Sequence, residues 1–310
     1  MGLWNDLRKY VNYIFDARSF APRRSPCEVT PAALQAARSA RGAGRPPALV
    51  IHGIMPRSGT VYVGELLRRH PHLYAYPNRV WEVPFLQHTD HVVAMQRDFF
   101  RTYHQNRGKI GRHDFLPLFG AACVAYLHAF APPDRRILLK VPGVHRLDRF
   151  FAVFPHEHLL LLVRDGRDVV HSTRKTWPQI TFGMACRRWA RSARMVLACH
   201  DRFRHRETGY WLARFEDAVR DPDAFIREAC RRFDLDPAAY PFDAADDLPV
   251  RGSGSLSRPG QVDWAPQTKP AGFDPTGHWR DWPPRRLRRF HRLAGPELRA
   301  LGYTDTTEAF

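Results

Sequence analysis

Short apolar runs alternate with helical patterns along most of the chain. Four such runs, at residues 48–54, 137–141, 158–163 and 210–214, are each followed by a turn and then by a segment with helical periodicity. Buried strands of a parallel sheet read as continuous apolar runs, and the helices between them supply the crossovers. The pattern therefore predicts an α/β fold with a central parallel sheet flanked by helices.

Four segments lie outside this alternation. Residues 1–45 contain a short amphipathic piece and an Ala/Arg/Pro-rich stretch, which indicate a peripheral arm before one domain at residues 46–310. The mixed, aromatic segment from about 72 to 135 predicts helical insertions that form an acceptor pocket. Residues 236–284 are rich in proline and glycine and predict a long lid loop. The last segment, 284–303, predicts a helix whose arginines face solvent.

The composition indicates a folded chain with an anionic partner. Hydrophobic residues make up 44% of the 310 residues, and the formal net charge is +17. Such a charge favours nucleic acid, an acidic membrane surface, or an anionic cofactor or substrate, although arginine in place of lysine on the surface explains part of it. The five scattered cysteines include no CxxC pair, so we expect free thiols in a reducing cytoplasm. No signal-peptide core or membrane-spanning run is apparent, and we expect a soluble protein.

The turn after the first apolar run has the pattern of an anion-binding loop. Counted from Gly53, a Walker A loop requires lysine where this chain has Gly59, and Thr60 follows it. A helix that begins near Gly59 directs N–H groups without intrahelical partners, and the positive end of its dipole, at the loop. Arg57 adds a fixed charge, and Ser58 adds a hydroxyl. The alternative interpretation is an ordinary tight turn between strand and helix.

A second motif, RDGRDVVHS, gives this loop a partner. Arg164 closes the third apolar run, and Ser172 follows eight residues later in the predicted helix. That spacing allows a strand-end guanidinium and a helical hydroxyl to bind one anionic group. Asp165 stands where a kinase would hold magnesium, but Arg164 beside it would crowd a cation. In isolation, either residue of the pair would be read as an ordinary surface side chain.

With both motifs present in this order, the sequence resembles the PAPS-dependent sulfotransferases. PRSGT at 56–60 matches the family's 5′-phosphosulfate loop, and RDGRDVVHS at 164–172 matches its 3′-phosphate motif. ARFEDAV at 213–219 and GHWRDW at 277–282 are similar to a later strand and the closing segment. The pattern is closest to the carbohydrate and protein-tyrosine members, in a bacterial-like form. The resemblance implies a P-loop-like three-layer fold and metal-independent transfer of a sulfuryl group from PAPS to a hydroxyl, with PAP as product.

The resemblance also assigns the residues that bind PAPS. The 5′ loop contributes Arg57, Ser58, Gly59, Thr60 and Val61. Arg57 would hold the 5′-phosphate and neutralise charge on the bridging oxygen as the S–O bond breaks. Arg164 and Ser172 would hold the 3′-phosphate, and Arg258 would reach it from the lid loop. Phe215 or Trp279 would stack on the adenine.

Two residues compete for the role of general base. Cytosolic small-molecule members use a histidine two residues after a strand-end lysine, but here Pro142 follows Lys140 at that place. Carbohydrate and protein-tyrosine members use a glutamate after the 5′ loop, and Glu82 in RVWEVPFL is in a similar position. Apolar neighbours would favour a carboxylate that takes up a proton near neutral pH. We therefore expect Glu82 as the base, His145 as the fallback, and Lys140 at the leaving oxygen.

Two other functions remain open at this point. A P-loop nucleotide kinase would share the first loop, and a basic nucleic-acid-binding protein would use the charge, although no nucleic-acid-binding module is recognisable. The acceptor could be a glycan, a phenol or another metabolite, and the oligomeric state is equally open.

Overall fold

A five-stranded parallel sheet forms the centre of the computed structural model, which describes residues 21–22, 26–75, 82–243, 248–251 and 260–304. The strand order is β2-β3-β1-β4-β5. The strands are β1 (Leu49–Gly53), β2 (Leu73–Ala75), β3 (Arg136–Val141), β4 (His158–Val163) and β5 (Tyr210–Arg214). The predicted parallel sheet is confirmed, and each of the four apolar runs supplies one strand.

The short strand β2 was not predicted. Its three residues pair with the start of β3, from Leu73 opposite Arg136 to Ala75 opposite Leu138. A run of three residues at the edge of a sheet is too short to show a periodic pattern. Only its pairing with β3 makes it a strand.

Ten α-helices flank the sheet in the described part of the chain. They are α1 (Pro31–Ala40), α2 (Thr60–Leu67), α3 (Thr89–Thr102), α4 (Phe115–His128), α5 (Phe150–Val153), α6 (Gly166–Thr176), α7 (Phe182–Phe203), α8 (Phe215–Arg220), α9 (Pro222–Phe233) and α10 (Pro284–Ala300). Short 3₁₀ segments occur at Phe85–His88, His104–Asn106, Leu147–Arg149, Pro237–Ala239 and His278–Asp281.

Both faces of the sheet are covered by helices. Alternate residues of β1 enter opposite cores: Val50 packs into one hydrophobic cluster, and Ile51 packs into the other. The first cluster also contains Trp189 of α7, and the second contains Phe233 of α9. All five residues of β1 are buried because it is the central strand, which explains its continuous apolar run.

The last helix confirms the interpretation of the basic C-terminal segment. The seven arginines from Arg280 to Arg299 are all exposed, while Phe290 and Leu298 of the same region are buried. No helix in the described ranges combines the length and apolar character needed to cross a bilayer.

A buried ion pair ties the region of α1 to the sheet. Arg41, directly after α1, donates from Nε to Glu157 Oε1 at 2.5 Å. Glu157, which lies just before β4, also accepts from the backbone N–H of Ala48 at 2.5 Å. Both side chains are almost fully buried. The helix α1 itself packs against α4. The boundary at residue 45 stays a prediction.

Removal of one partner of this pair should destabilise the whole domain. We expect Arg41→Ala to lower the free energy of unfolding by about 3–5 kcal/mol, because Glu157 would remain buried without its counter-charge. Arg38→Ala is the matched control, since Arg38 is exposed in the last turn of α1. Urea denaturation measures both variants, and equal losses would contradict a role for the buried pair.

Candidate active site

A cavity of about 710 Å³ lies at the carboxyl ends of β1, β3 and β4. Ligands of open α/β sheets bind at this edge, and the volume is in the range of small-molecule sites. Among the described residues, seven lysine and arginine side chains line the cavity, against two glutamates, Glu65 and Glu82. The excess of positive charge is suited to an anionic ligand.

The loop after β1 builds one wall of this cavity. Arg57 adopts a left-handed backbone conformation, with φ of 78°, although it has a side chain. Ser58 closes the turn from inside: its hydroxyl donates to Met55 O at 2.5 Å and accepts from Met55 N at 3.2 Å. Ser58 is therefore buried and shapes the loop, and it does not line the cavity.

Two features require glycine at residue 59: its left-handed backbone conformation and the close approach of the Phe215 ring. Gly59 caps α2 in the left-handed region, with φ of 87°, so the helix begins at Thr60 as expected. A Cβ at residue 59 would lie 2.1 Å from Cδ2 of Phe215. With that ring against Gly59, the first N–H groups of α2 border the cavity, where Thr60 and Val61 are lining residues.

The two sequence motifs meet in space. Arg57 donates from Nε to the hydroxyl of Ser172 on α6 at 3.0 Å. Arg164, at the end of β4, donates from Nη1 to the carbonyl of Arg57 at 2.9 Å. All three residues line the cavity. Two segments more than a hundred residues apart thus form one basic wall.

Arg164 is held by the surrounding structure. Its guanidinium lies over the ring of Phe215, 4.6 Å from the centroid, and its Nη2 donates to Pro275 O at 2.5 Å. Its Nε is buried and has no hydrogen-bond partner among the described residues. Glu216 accepts from the backbone N–H of Asp165 at 2.8 Å and from Tyr303 Oη at 2.9 Å, and so supports the same turn. Burial raises the pKa of the Glu216 carboxyl.

Lys140 and Glu82 form an ion pair at the cavity, with Nζ and Oε1 2.7 Å apart. Lys140 is the penultimate residue of β3 and is almost fully buried, and the backbone of Glu82 forms a parallel bridge to it. The Glu82 side chain is 53% exposed, so its surroundings are not the apolar ones expected from its sequence neighbours. Among the described residues of 72–135, only Glu82 lines the cavity. A role of α3 and α4 in an acceptor pocket stays a prediction.

Besides Ser58, three predicted residues are not seen in the cavity wall. His145 is buried and is not a lining residue. Trp279 is also buried outside the wall, because the guanidinium of Arg167 covers its ring at 3.5 Å. Arg258 lies outside the described residues.

Several lining residues were missed by the sequence reasoning. Lys175 lies three residues after Ser172 on the same face of α6, and this spacing is a signal that could have identified it. His171, His278 and Lys269 also line the cavity, and only the tertiary structure brings them there.

Asp165, at the position where a kinase would hold magnesium, forms an ion pair with Arg167. Asp165 binds Arg167 through a side-chain ion pair of 2.7 Å and also accepts from the Arg167 backbone N–H at 2.8 Å. It does not line the cavity. Its carboxylate caps the N-terminus of α6.

The chain belongs to the sulfotransferase family. A family model described as "Sulfotransferase family" matches residues 47–239, which is more than half of the chain. This range includes both anion-binding motifs, Glu82 and Lys140. The chain is therefore an enzyme of the sulfuryl-transfer class, as the two motifs predicted.

Solved sulfotransferase structures are similar to the chain at low sequence identity. Sulfotransferase STF9 from Mycobacterium avium is 14% identical, with a TM-score of 0.50 over 97% of this chain and 86% of its own. The sulfotransferase domain of the Synechococcus PCC 7002 olefin synthase is 20% identical, with a TM-score of 0.49 over 83% and 96%. Mouse sulfotransferase SULT7A1, complexed with PAP, is 12% identical, with a TM-score of 0.44 over 88% and 93%. No curated protein sequence matches the chain significantly.

Replacement of Gly59 should test the shape of the first loop. We expect Gly59→Ala to destabilise the fold more than Gly108→Ala does. Both positions have φ near 90°, so each alanine variant has the same backbone strain of about 1–2 kcal/mol. Only at residue 59 does the added methyl group meet another side chain, and nothing lies within 4 Å at residue 108.

The free energy of unfolding of Gly59→Ala should be lower than that of Gly108→Ala by about 1–3 kcal/mol, the usual effect of overpacking. Chemical denaturation measures both variants. A double variant that also carries Phe215→Leu should recover part of this difference. Equal stability of the two alanine variants would show that the loop tolerates a side chain beside Phe215.

Proposed function

We propose that this sulfotransferase transfers the sulfuryl group of PAPS to a hydroxyl-bearing acceptor, with Glu82 as the general base. The contact between Arg57 and Ser172 carries the proposal, because it unites the loop for the 5′ end of the donor with the motif for the 3′-phosphate. A nucleotide with a 5′-phosphosulfate and a 3′-phosphate would find hydrogen-bond donors for both groups in this wall.

The residues of the cavity suit such a donor. The first N–H groups of α2, together with Arg57, would bind the 5′-phosphate. Arg164 and Ser172, which both line the cavity, would bind the 3′-phosphate. Phe215 lines the cavity and Trp279 does not, so the Phe215 ring is the better candidate of these two for contact with adenine.

Lys140 and Glu82 supply the chemistry at the sulfuryl end. Lys140 engages Oε1 of Glu82, which leaves Oε2 for the acceptor hydroxyl. Glu82 takes the hydroxyl proton while the acceptor oxygen bonds to sulfur. Arg57 and Lys140 neutralise the charge that develops on the phosphate oxygen as its bond to sulfur breaks. By analogy with phosphoryl transfer, much of the rate comes from positioning and electrostatics.

The exposure of Glu82 is consistent with an acceptor that enters from solvent. His145 is a weaker candidate for the base because it does not line the cavity. The excess of lysine and arginine in the wall is also consistent with an anionic acceptor, such as a charged glycan, although the same charge serves the donor.

A thermal-shift experiment tests the donor. We expect PAP to raise the melting temperature of the wild-type chain by several degrees at saturation, whereas ATP with magnesium should have a much smaller effect. Ser172→Ala should reduce the shift by PAP, since it removes a hydroxyl of the proposed 3′-phosphate site.

The outcomes separate the candidate functions. A larger shift by magnesium–ATP would favour a P-loop kinase and overturn the proposal. Salt-sensitive binding of DNA without any shift by PAP would favour a nucleic-acid-binding protein. An unchanged PAP shift in Ser172→Ala would remove the 3′-phosphate assignment.

Glu82→Gln tests the base. We expect turnover to fall at least about tenfold, because the amide cannot take up the proton, while the affinity for PAP stays unchanged in calorimetry. The assay measures PAP release from PAPS with an acceptor that the wild-type chain sulfates.

Glu207→Gln is the matched control. Glu207 is exposed and precedes β5, so it lies at the opposite edge of the sheet from the cavity. Wild-type turnover in Glu82→Gln would exclude Glu82 as the base.

A further inference from the structure

A histidine on α6 faces the cavity next to the proposed 3′-phosphate motif. His171 precedes Ser172 and lines the cavity together with Lys175, one helical turn further on. The function proposed above does not use His171. Its surroundings define which nitrogen of its ring carries hydrogen.

Trp282 determines the tautomer of His171. The indole Nε1 of Trp282 lies 3.2 Å from Nδ1 of His171, and the two ring planes are only 14° apart. The lone pair of an imidazole nitrogen lies in the ring plane, so this arrangement suits an in-plane hydrogen bond. An indole nitrogen is only a donor, and Nδ1 must therefore accept. In the neutral ring the hydrogen is then on Nε2.

The neighbouring groups favour this neutral form. Burial lowers the pKa of His171, and the neighbouring His278, Lys175 and Arg286 lower it further. Asp281 acts in the opposite direction, but more weakly. The ring therefore presents one N–H donor, and no hydrogen bond of Nε2 to a described residue competes for it.

Residues 275–278 contact Arg164, helix α6 and the ring of His171. Arg164 binds Pro275 O, and Asp168 Oδ2 accepts from the backbone N–H of Gly277 at 2.8 Å. The next residue, His278, stacks on His171 with centroids 5.6 Å apart. These contacts join α6 to the closing segment along one wall of the cavity.

We propose that His171 is a further binding residue for the 3′-phosphate of PAPS, which it contacts through Nε2–H. Trp282 is its positioning residue, because the hydrogen bond to Nδ1 keeps the hydrogen on Nε2. This inference rests on the proposed use of PAPS, and it adds a donor beside Arg164 and Ser172.

Comparison of two nucleotides isolates this contact. Calorimetry measures the affinity for PAP and for 5′-AMP, which has the same 5′-phosphate and base but no 3′-phosphate. We expect His171→Phe to weaken PAP about tenfold to a hundredfold, the usual worth of a hydrogen bond to a charged group, and to leave 5′-AMP unchanged. His171→Gln should restore part of the loss, since its amide can place an N–H near the original Nε2.

Two further variants complete the experiment. His88→Phe is the matched control, because His88 is exposed and does not line the cavity. Trp282→Phe keeps an aromatic ring but removes the N–H, and it should lower the preference for PAP over 5′-AMP several-fold. It also serves as the test if His171→Phe does not fold.

Each outcome bears on a defined claim. If His171→Phe prefers PAP over 5′-AMP as strongly as the wild-type chain does, the inference is overturned and the proposed function stays intact. Equal losses for PAP and 5′-AMP would also overturn it, since they indicate a structural defect. A wild-type chain that does not prefer PAP over 5′-AMP would instead overturn the use of PAPS. An unchanged preference in Trp282→Phe would exclude its positioning role.

Discussion

The hydrogen bond from Arg57 to Ser172 is the contact on which the site depends. It joins the loop after β1 to helix α6, and Arg164 reinforces the junction through the carbonyl of Arg57. Parallel strands end at the same edge of a sheet, so the turns that follow β1 and β4 are necessarily neighbours. Neighbouring strands alone would not align a guanidinium with a hydroxyl at 3.0 Å. In the structure, the first loop makes this contact with Arg57 in a left-handed backbone conformation.

The strain is supported from several sides. The strain lies in the left-handed backbone of Arg57. The hydroxyl of Ser58 closes the turn on Met55, and the ring of Phe215 packs against Gly59. Backbone strain of this kind persists only where the surrounding contacts over-determine it, and it clusters at functional sites. The same wall gathers positive charge: Pro275 O binds the Arg164 guanidinium, and Glu216 binds the backbone of the next residue, Asp165. Rigidity here means that donors are oriented before a ligand arrives.

Much of the fold and part of the site could be predicted from the sequence. Apolar runs reveal buried strands because a strand covered on both faces has no polar side, and the glycine at residue 59 marks a helix start with a positive φ. The sulfotransferase family was recognisable from two motifs in the right order, and the family match confirms it. Single-residue assignments were less secure. Glu82 is half exposed despite apolar neighbours, and Trp279 is covered by Arg167.

The sequence by itself determined four of the five strands, the helices that follow them and the two anion-binding motifs, because these depend on local periodicity and on chemistry within a few residues. Only the tertiary structure decided which side chains share the cavity. Lys175 and His171 enter it through the orientation of α6, while Ser58 turns away into its own loop. His171 obtains its tautomer from Trp282, more than a hundred residues further along the chain. Such contacts follow from the packing of elements distant in sequence, and no local pattern encodes them.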